Sequence, residues 1–125
     1  MLEDYCSEFI EKSEQNYKLY EFLNKNNCFI EWQITAIFYS ALCYAKAYLY
    51  KKGMPINSIN SHDNIKFFLA AEQNMKTSNI LVYYEIIYSL SRDARYKCKK
   101  MTQEKLNRAL ENYNKVIEIL KEKYA

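Results

Sequence analysis

Apolar residues at Leu2, Cys6, Phe9, Ile10, Tyr17, Tyr20 and Leu23 recur at close to the helical period of about 3.6 residues, with acidic and amide side chains between them. This spacing predicts a first amphipathic helix. It breaks at Asn24-Lys25-Asn26-Asn27, where an asparagine can cap the next helix by accepting from its first free N–H groups. A second helix is predicted from about Phe29 to Lys52. Its middle is apolar on nearly every side, through Ile34, Ile37, Phe38, Leu42, Ala45 and Leu49 with the small residues Ala36, Ala41 and Ala47, so other helices must wrap it. Lys51 and Lys52 suit the negative end of the helix dipole, Gly53 supplies a left-handed residue, and Pro55 prevents continuation.

Beyond a loop through Asn57-Ser58-Ile59-Asn60, Ser61 is a good N-cap for a short helix carrying Ile65, Phe68 and Leu69. Thr77 or Ser78 can cap a fourth helix, whose apolar positions Ile80, Tyr83, Ile87, Leu90 and Ala94 keep spacings of three and four. Thr102 can cap a fifth, with a stripe of Leu106, Leu110, Tyr113, Ile117, Leu120 and Tyr124. The expected architecture is an all-α, up-and-down bundle of four to five helices, one domain over residues 1–125.

Composition supports that reading. Half of the residues are hydrophobic and 26% are charged, enough for both a core and solubility. One glycine and one proline leave little material for β-hairpin turns. Cys6, Cys28, Cys43 and Cys98 are scattered, with no Cys-x-x-Cys pair and a single histidine, so no structural metal is expected. The opening Met-Leu-Glu-Asp-Tyr has neither the charge nor the apolar run of a secretion signal, so the thiols are expected to be free and the location cytoplasmic. The apolar stretch from Trp32 to Ala45 is shorter than the ~18 residues that suggest a membrane span, so it reads as a core helix and no membrane partner is expected.

Several chemistries require residues that are missing. A single glycine excludes the phosphate-cradling P-loop and the dinucleotide-binding G-x-G-x-x-G turn. No His-x-x-x-His or Glu-x-x-His pair places two metal ligands on one helix face. His62, the only imidazole, lies in Ser61-His62-Asp63, whose neighbours diverge by about 100° around a helix and so form no triad. It reads equally as a polar first-turn residue beside a cap.

Charge clusters in one place although the net formal charge is only +3: Ser91 to Lys100 holds five basic residues and one acid. Arg92, Arg95 and Lys99 share a helix face, where an arginine pair beside Tyr96 can grip a phosphate while the ring stacks on a base. The same pattern also finishes an ordinary solvated helix. The thirteen tyrosines read as amphipathic core lining rather than as a base-stacking platform.

Together, Trp32 through Leu42 with Ala45-Lys46-Ala47-Tyr48-Leu49, then Ser61-His62-Asp63, then Tyr84 through Leu90, and Ser91-Arg92-Asp93-Ala94-Arg95-Tyr96 resemble a bacterial HEPN-type domain over residues 28 to 120. The resemblance implies a dimerising helical bundle. It also implies, as in many members, a metal-independent, cofactor-free endoribonuclease of toxin–antitoxin, CRISPR or phage-defence systems. The family site is an arginine, a polar residue and a histidine four to six residues beyond the arginine. The imidazole moves protons while the arginine stabilises charge on a phosphate attacked by a ribose 2′-OH.

Arg92 and Asp93 match the opening of that motif, but the permitted histidine positions hold Lys97, Cys98 and Lys99. A lysine can hold phosphate but is a poor proton shuttle at neutral pH. Either His62 replaces the missing imidazole, reaching Arg92 or Arg95 within the bundle or across a dimer, or the domain is a non-catalytic member. In the second case it would bind RNA or a nucleotide through Arg92, Arg95, Tyr96, Lys97 and Lys99, with Asp93 orienting an arginine. Expected partners are a second copy of the chain, RNA or a nucleotide, and a cognate antitoxin or defence-system protein. From a different class, the chain could be a homodimeric interaction or scaffold module whose arginines serve only structural ion pairs.

Overall fold

The computed structural model describes residues 2–71, 79–97 and 100–124. They form α1 (Leu2–Lys25), α2 (Ile30–Lys51), a short 3-10 turn (Ile56–Ser58), α3 (His62–Ala71), α4 (Ile80–Tyr96) and α5 (Gln103–Tyr124). Among the described residues there is no strand, so the all-α bundle holds. No described helix is long and apolar enough to cross a membrane.

As its apolar circumference requires, α2 is the hub and packs against each of the other four helices. Ile34, Ile37, Phe38, Ala41, Ala45 and Leu49 are all essentially buried, and each large apolar side chain so placed contributes about 1.5–3 kcal/mol. The small residues Ala36, Ala41, Ala45 and Ala47 let neighbouring backbones approach. α1 returns antiparallel along α2, with Cys6 facing the Ala47 carbonyl, Ser13 facing Ser40, and Asn24 facing Gln33. α4 also runs antiparallel to α2, so its C-terminal end lies beside the first turns of α2, where Trp32 and Thr35 border the same groove as Arg95 and Tyr96. The isolated ion pairs on the helix surfaces, such as Lys115 with Glu111, contribute little by comparison.

The helix ends follow local chemistry. After α2, the Gly53 N–H donates to the Tyr50 carbonyl and the Met54 N–H to that of Leu49, a Schellman arrangement that places Gly53 at φ 103°. Ser61 Oγ accepts from the Asn64 N–H and Thr102 Oγ1 from the Lys105 N–H, capping α3 and α5 as predicted.

The start of α2 corrects one expectation. Its N-cap is Phe29, left-handed at φ 56° and without a side-chain cap bond. The nearby asparagines bond elsewhere: Asn24 donates to the Gln33 side chain and Asn26 to the Phe22 carbonyl. Thr77 and Ser78, expected to cap α4, lie outside the described residues, as do Cys98 and Lys99. The described cysteines Cys6, Cys28 and Cys43 are free.

Candidate functional site

The last two turns of α4, the first turn of α3 and the first half of α2 converge on one aromatic and cationic cluster. Phe38, 2% exposed, forms its floor. Its ring meets those of His62, Tyr84 and Tyr88 at centroid separations of 6.1, 5.9 and 5.5 Å. His62 stacks almost parallel on Tyr88, 3.4 Å between centroids. Although 26 positions apart in sequence, they meet because α3 folds back along α4.

Both nitrogens of His62 face partners. Nδ1 lies 3.2 Å from the Tyr84 hydroxyl and Nε2 lies 3.6 Å from Glu85 Oε1. Burial pushes the phenol of Tyr84 far above its ordinary range, so it stays neutral and can donate to Nδ1. Burial likewise holds the imidazole below its ordinary value of 6.5, outweighing the opposing pull of Glu85 and Asp63, while Lys66 and Arg95 push it down further. His62 is therefore neutral at neutral pH.

Arg92 is exposed and anchored at one point. Nη1 donates to the Tyr88 hydroxyl at 3.0 Å, which raises the pKa of the guanidinium still further. One tyrosine thus carries His62 on its face and Arg92 at its hydroxyl. Arg95 turns inward to α2 and is held far more tightly. It donates from Nη1 to the hydroxyls of Tyr39 (2.8 Å) and Tyr96 (3.3 Å), and from Nη2 and Nε to Ser91 Oγ (2.9 Å) and the Ser91 carbonyl (3.3 Å). Its guanidinium lies 5.5, 5.3 and 4.8 Å from the ring centroids of Phe38, Tyr39 and Tyr96. Arg92 also sits 5.5 Å from the Tyr96 ring, so both cations flank one exposed tyrosine.

Two lysines of this region have acidic partners. Lys97 pairs with Asp93 at 3.4 Å and Lys66 with Glu85 at 3.0 Å. Among the described residues, neither Arg92 nor Arg95 forms a salt bridge with a carboxylate, although Asp63 acts on Arg92 through space. No cluster of three or more His, Cys, Asp or Glu able to hold a metal occurs among them.

A family model described as the HEPN domain matches residues 6–123. The chain belongs to the HEPN domain family. No curated protein and no solved structure matches it. Within this HEPN bundle, His62, the chain's single histidine, stacks on the ring of Tyr88, whose hydroxyl accepts from Arg92.

The fold brings together His62, Arg92, Arg95 and Tyr96; Asp93 and Lys97 form a pair with each other, and Lys99 lies outside the described residues. Sequence reasoning missed Tyr88, Ser91, Tyr39 and Trp32. Tyr88 with Arg92 and Ser91 with Arg95 stand four apart on one helix, a spacing that places side chains in reach of each other and was legible in the sequence. Tyr39 carries no such signal, because it reaches Arg95 across the α2–α4 interface.

A larger apolar cleft of about 790 Å³ opens at the C-terminal end of α2, near Tyr5, Tyr50 and Met54. Lys51, its charged lining residue, lies over the Tyr124 ring and donates to the Tyr124 carbonyl, so the cleft has no cation turned toward a ligand comparable to Arg92.

Proposed function

We propose that this HEPN domain contacts the phosphate of an RNA or nucleotide through Arg92 and Arg95, as a homodimer in a bacterial defence or toxin–antitoxin setting. One observation carries the reading: both guanidiniums are held by neutral hydroxyls and aromatic rings rather than by carboxylates. An arginine used only for structure would be expected to pair with an acid, whereas here neither guanidinium forms a salt bridge with a described carboxylate. Phosphate supplies the missing charge and accepts from the remaining guanidinium N–H groups. The scaffold reading loses support for the same reason, since it assigns the arginines to structural ion pairs.

A ribonuclease reading is favoured by a second observation, the stacking of His62 on the tyrosine that holds Arg92. In that reaction the imidazole takes the proton of the ribose 2′-OH as it attacks phosphorus, the bond from phosphorus to the 5′-oxygen breaks with a proton going to that leaving oxygen, and Arg92 stabilises the charge that develops on the phosphate oxygens. A neutral His62 suits the role of base. Its two nitrogens are turned to Tyr84 and Glu85, however, so one contact must open before it can serve RNA. Phosphate binding needs no such rearrangement and is the better supported reading.

The test is cleavage and binding of a mixed single-stranded RNA in EDTA by the wild-type chain, Arg92→Ala and His62→Ala. Binding that falls in Arg92→Ala, weakens as salt rises and occurs without cleavage is expected. Cleavage abolished by both substitutions would put the ribonuclease reading first. An absence of RNA binding by the wild-type chain would remove both and leave the interaction module.

A further inference from the structure

The groove between the first turn of α2 and the last turn of α4 combines two aromatic faces with a fixed cation. Trp32 and Tyr96, 57% and 64% exposed, come from opposite ends of the sequence's central region and border one concavity of about 470 Å³. Isolated exposed aromatics are ordinary on a protein surface, but two on separate helices facing one groove are less so. Arg95 lines the same groove, with four of its five N–H groups already engaged, so its guanidinium is immobilised before any ligand arrives. Glu31 lines the groove as well, and its carboxylate disfavours an anion close to it. The groove therefore offers an anchored cation at Arg95, with Arg92 5.5 Å from the Tyr96 ring, beside two exposed aromatic side chains of its lining.

An uncharged apolar partner would bury Arg95 with no counter-charge, which is costly. A ligand that joins a planar ring to a phosphate satisfies both halves. We propose that the groove is a nucleobase-stacking pocket, in which one base of a single-stranded RNA inserts between Trp32 and Tyr96 while Arg95 and Arg92 hold its phosphate. This rests on the phosphate-contact reading above and adds to it the base and its two stacking faces.

Trp32 is the single tryptophan of the chain, so its emission reports on the pocket directly. The full chain and Tyr96→Ala are each titrated with a mixed-sequence hexaribonucleotide and with an abasic strand of the same backbone length. Trp32 emission is followed, and binding is measured separately by the anisotropy of end-labelled strands. The base-bearing strand is expected to quench Trp32 and the abasic strand to leave it unchanged. Tyr96→Ala, which also removes a hydrogen-bond acceptor from Arg95, is expected to lower affinity for the base-bearing strand about tenfold more than for the abasic strand. Circular dichroism verifies that this surface variant folds.

Binding of both strands with Trp32 emission unchanged and Tyr96→Ala equal to wild type would overturn the pocket while leaving phosphate contact standing. No binding of either strand would overturn phosphate contact and the pocket together. Trp32 emission that changes with protein concentration and not with RNA would assign the groove to a second copy of the chain, and would also overturn the proposal.

Discussion

Two clusters of hydroxyls and tyrosines in this bundle use the same chemical groups to opposite ends. Between α1, α2 and α5, Ser13 and Ser40 exchange hydrogen bonds, each hydroxyl donating to the other's backbone carbonyl at 2.7 and 2.8 Å. With the Ser40 proton so committed, the Tyr113 hydroxyl donates to Ser40 Oγ at 2.8 Å. Tyr17 stacks on Tyr113, and both serines are buried, at 3% and 0% exposure. Burial pushes the Tyr113 phenol up to about 12. Each hydroxyl proton in this knot has a protein acceptor.

Between α2, α3 and α4, the hydroxyls of Tyr39, Tyr88 and Ser91 hold arginines instead; Arg92 is exposed with one N–H engaged, and the inward-turned Arg95 has four of its five engaged. A closed network stabilises; an open one recognises. The difference teaches that the partners left unfilled identify a site, more than the residue types present.

The strongest way to break this contrast is Phe38→Ala, because Phe38 belongs to the core and also carries Arg95, His62 and Tyr88 on its faces. Truncation is expected to lower stability by about 3–5 kcal/mol in urea unfolding, and RNA binding should fall as Arg95 loses its floor. Retained affinity in the destabilised chain would show that the core does not position the cation.

The next largest effect should come from the closed knot. Ser40→Ala leaves a buried tyrosine hydroxyl without its acceptor and a carbonyl without its donor, for a loss of about 2 kcal/mol, with RNA affinity unchanged. Arg92→Ala should do the reverse. Its stability should change by no more than about 0.5 kcal/mol, while the dependence of RNA affinity on salt becomes shallower by about one phosphate contact.

The smallest expected effect concerns pH. His62 binds a proton less readily in the folded chain than in the unfolded one, because burial lowers its pKa from 6.5. The unfolded state therefore holds more protons just below that pH. The stability contribution is fully present above 6.5 and is lost as pH falls through 6.5 toward the lowered folded value. Urea titrations of wild type and His62→Gln at neutral and mildly acidic pH isolate this from the carboxylates, and the wild-type chain should lose more stability on acidification. Equal losses would show that protonation relieves His62 by forming its ion pair with Glu85.

The sequence by itself determined the helices and most of their ends. Periodicity, the Lys51-Lys52-Gly53 stop and the Ser61 and Thr102 caps depend on residues within one or two turns, so the local chain carries the information. The family was legible from the order of its blocks, and Arg92, Arg95 and Tyr96 were legible as a basic helix end beside a tyrosine. The start of α2 was misread because asparagine side chains have several acceptors within reach, and the fold offered Gln33 and the Phe22 carbonyl instead of a cap.

Only the tertiary structure decided that His62 lies on Tyr88, that Arg95 is fastened by Tyr39, and that Trp32 opens onto the groove beside Tyr96. Those contacts cross between helices far apart in sequence, and their geometry comes from how α3 and α4 pack on α2, which no local pattern specifies.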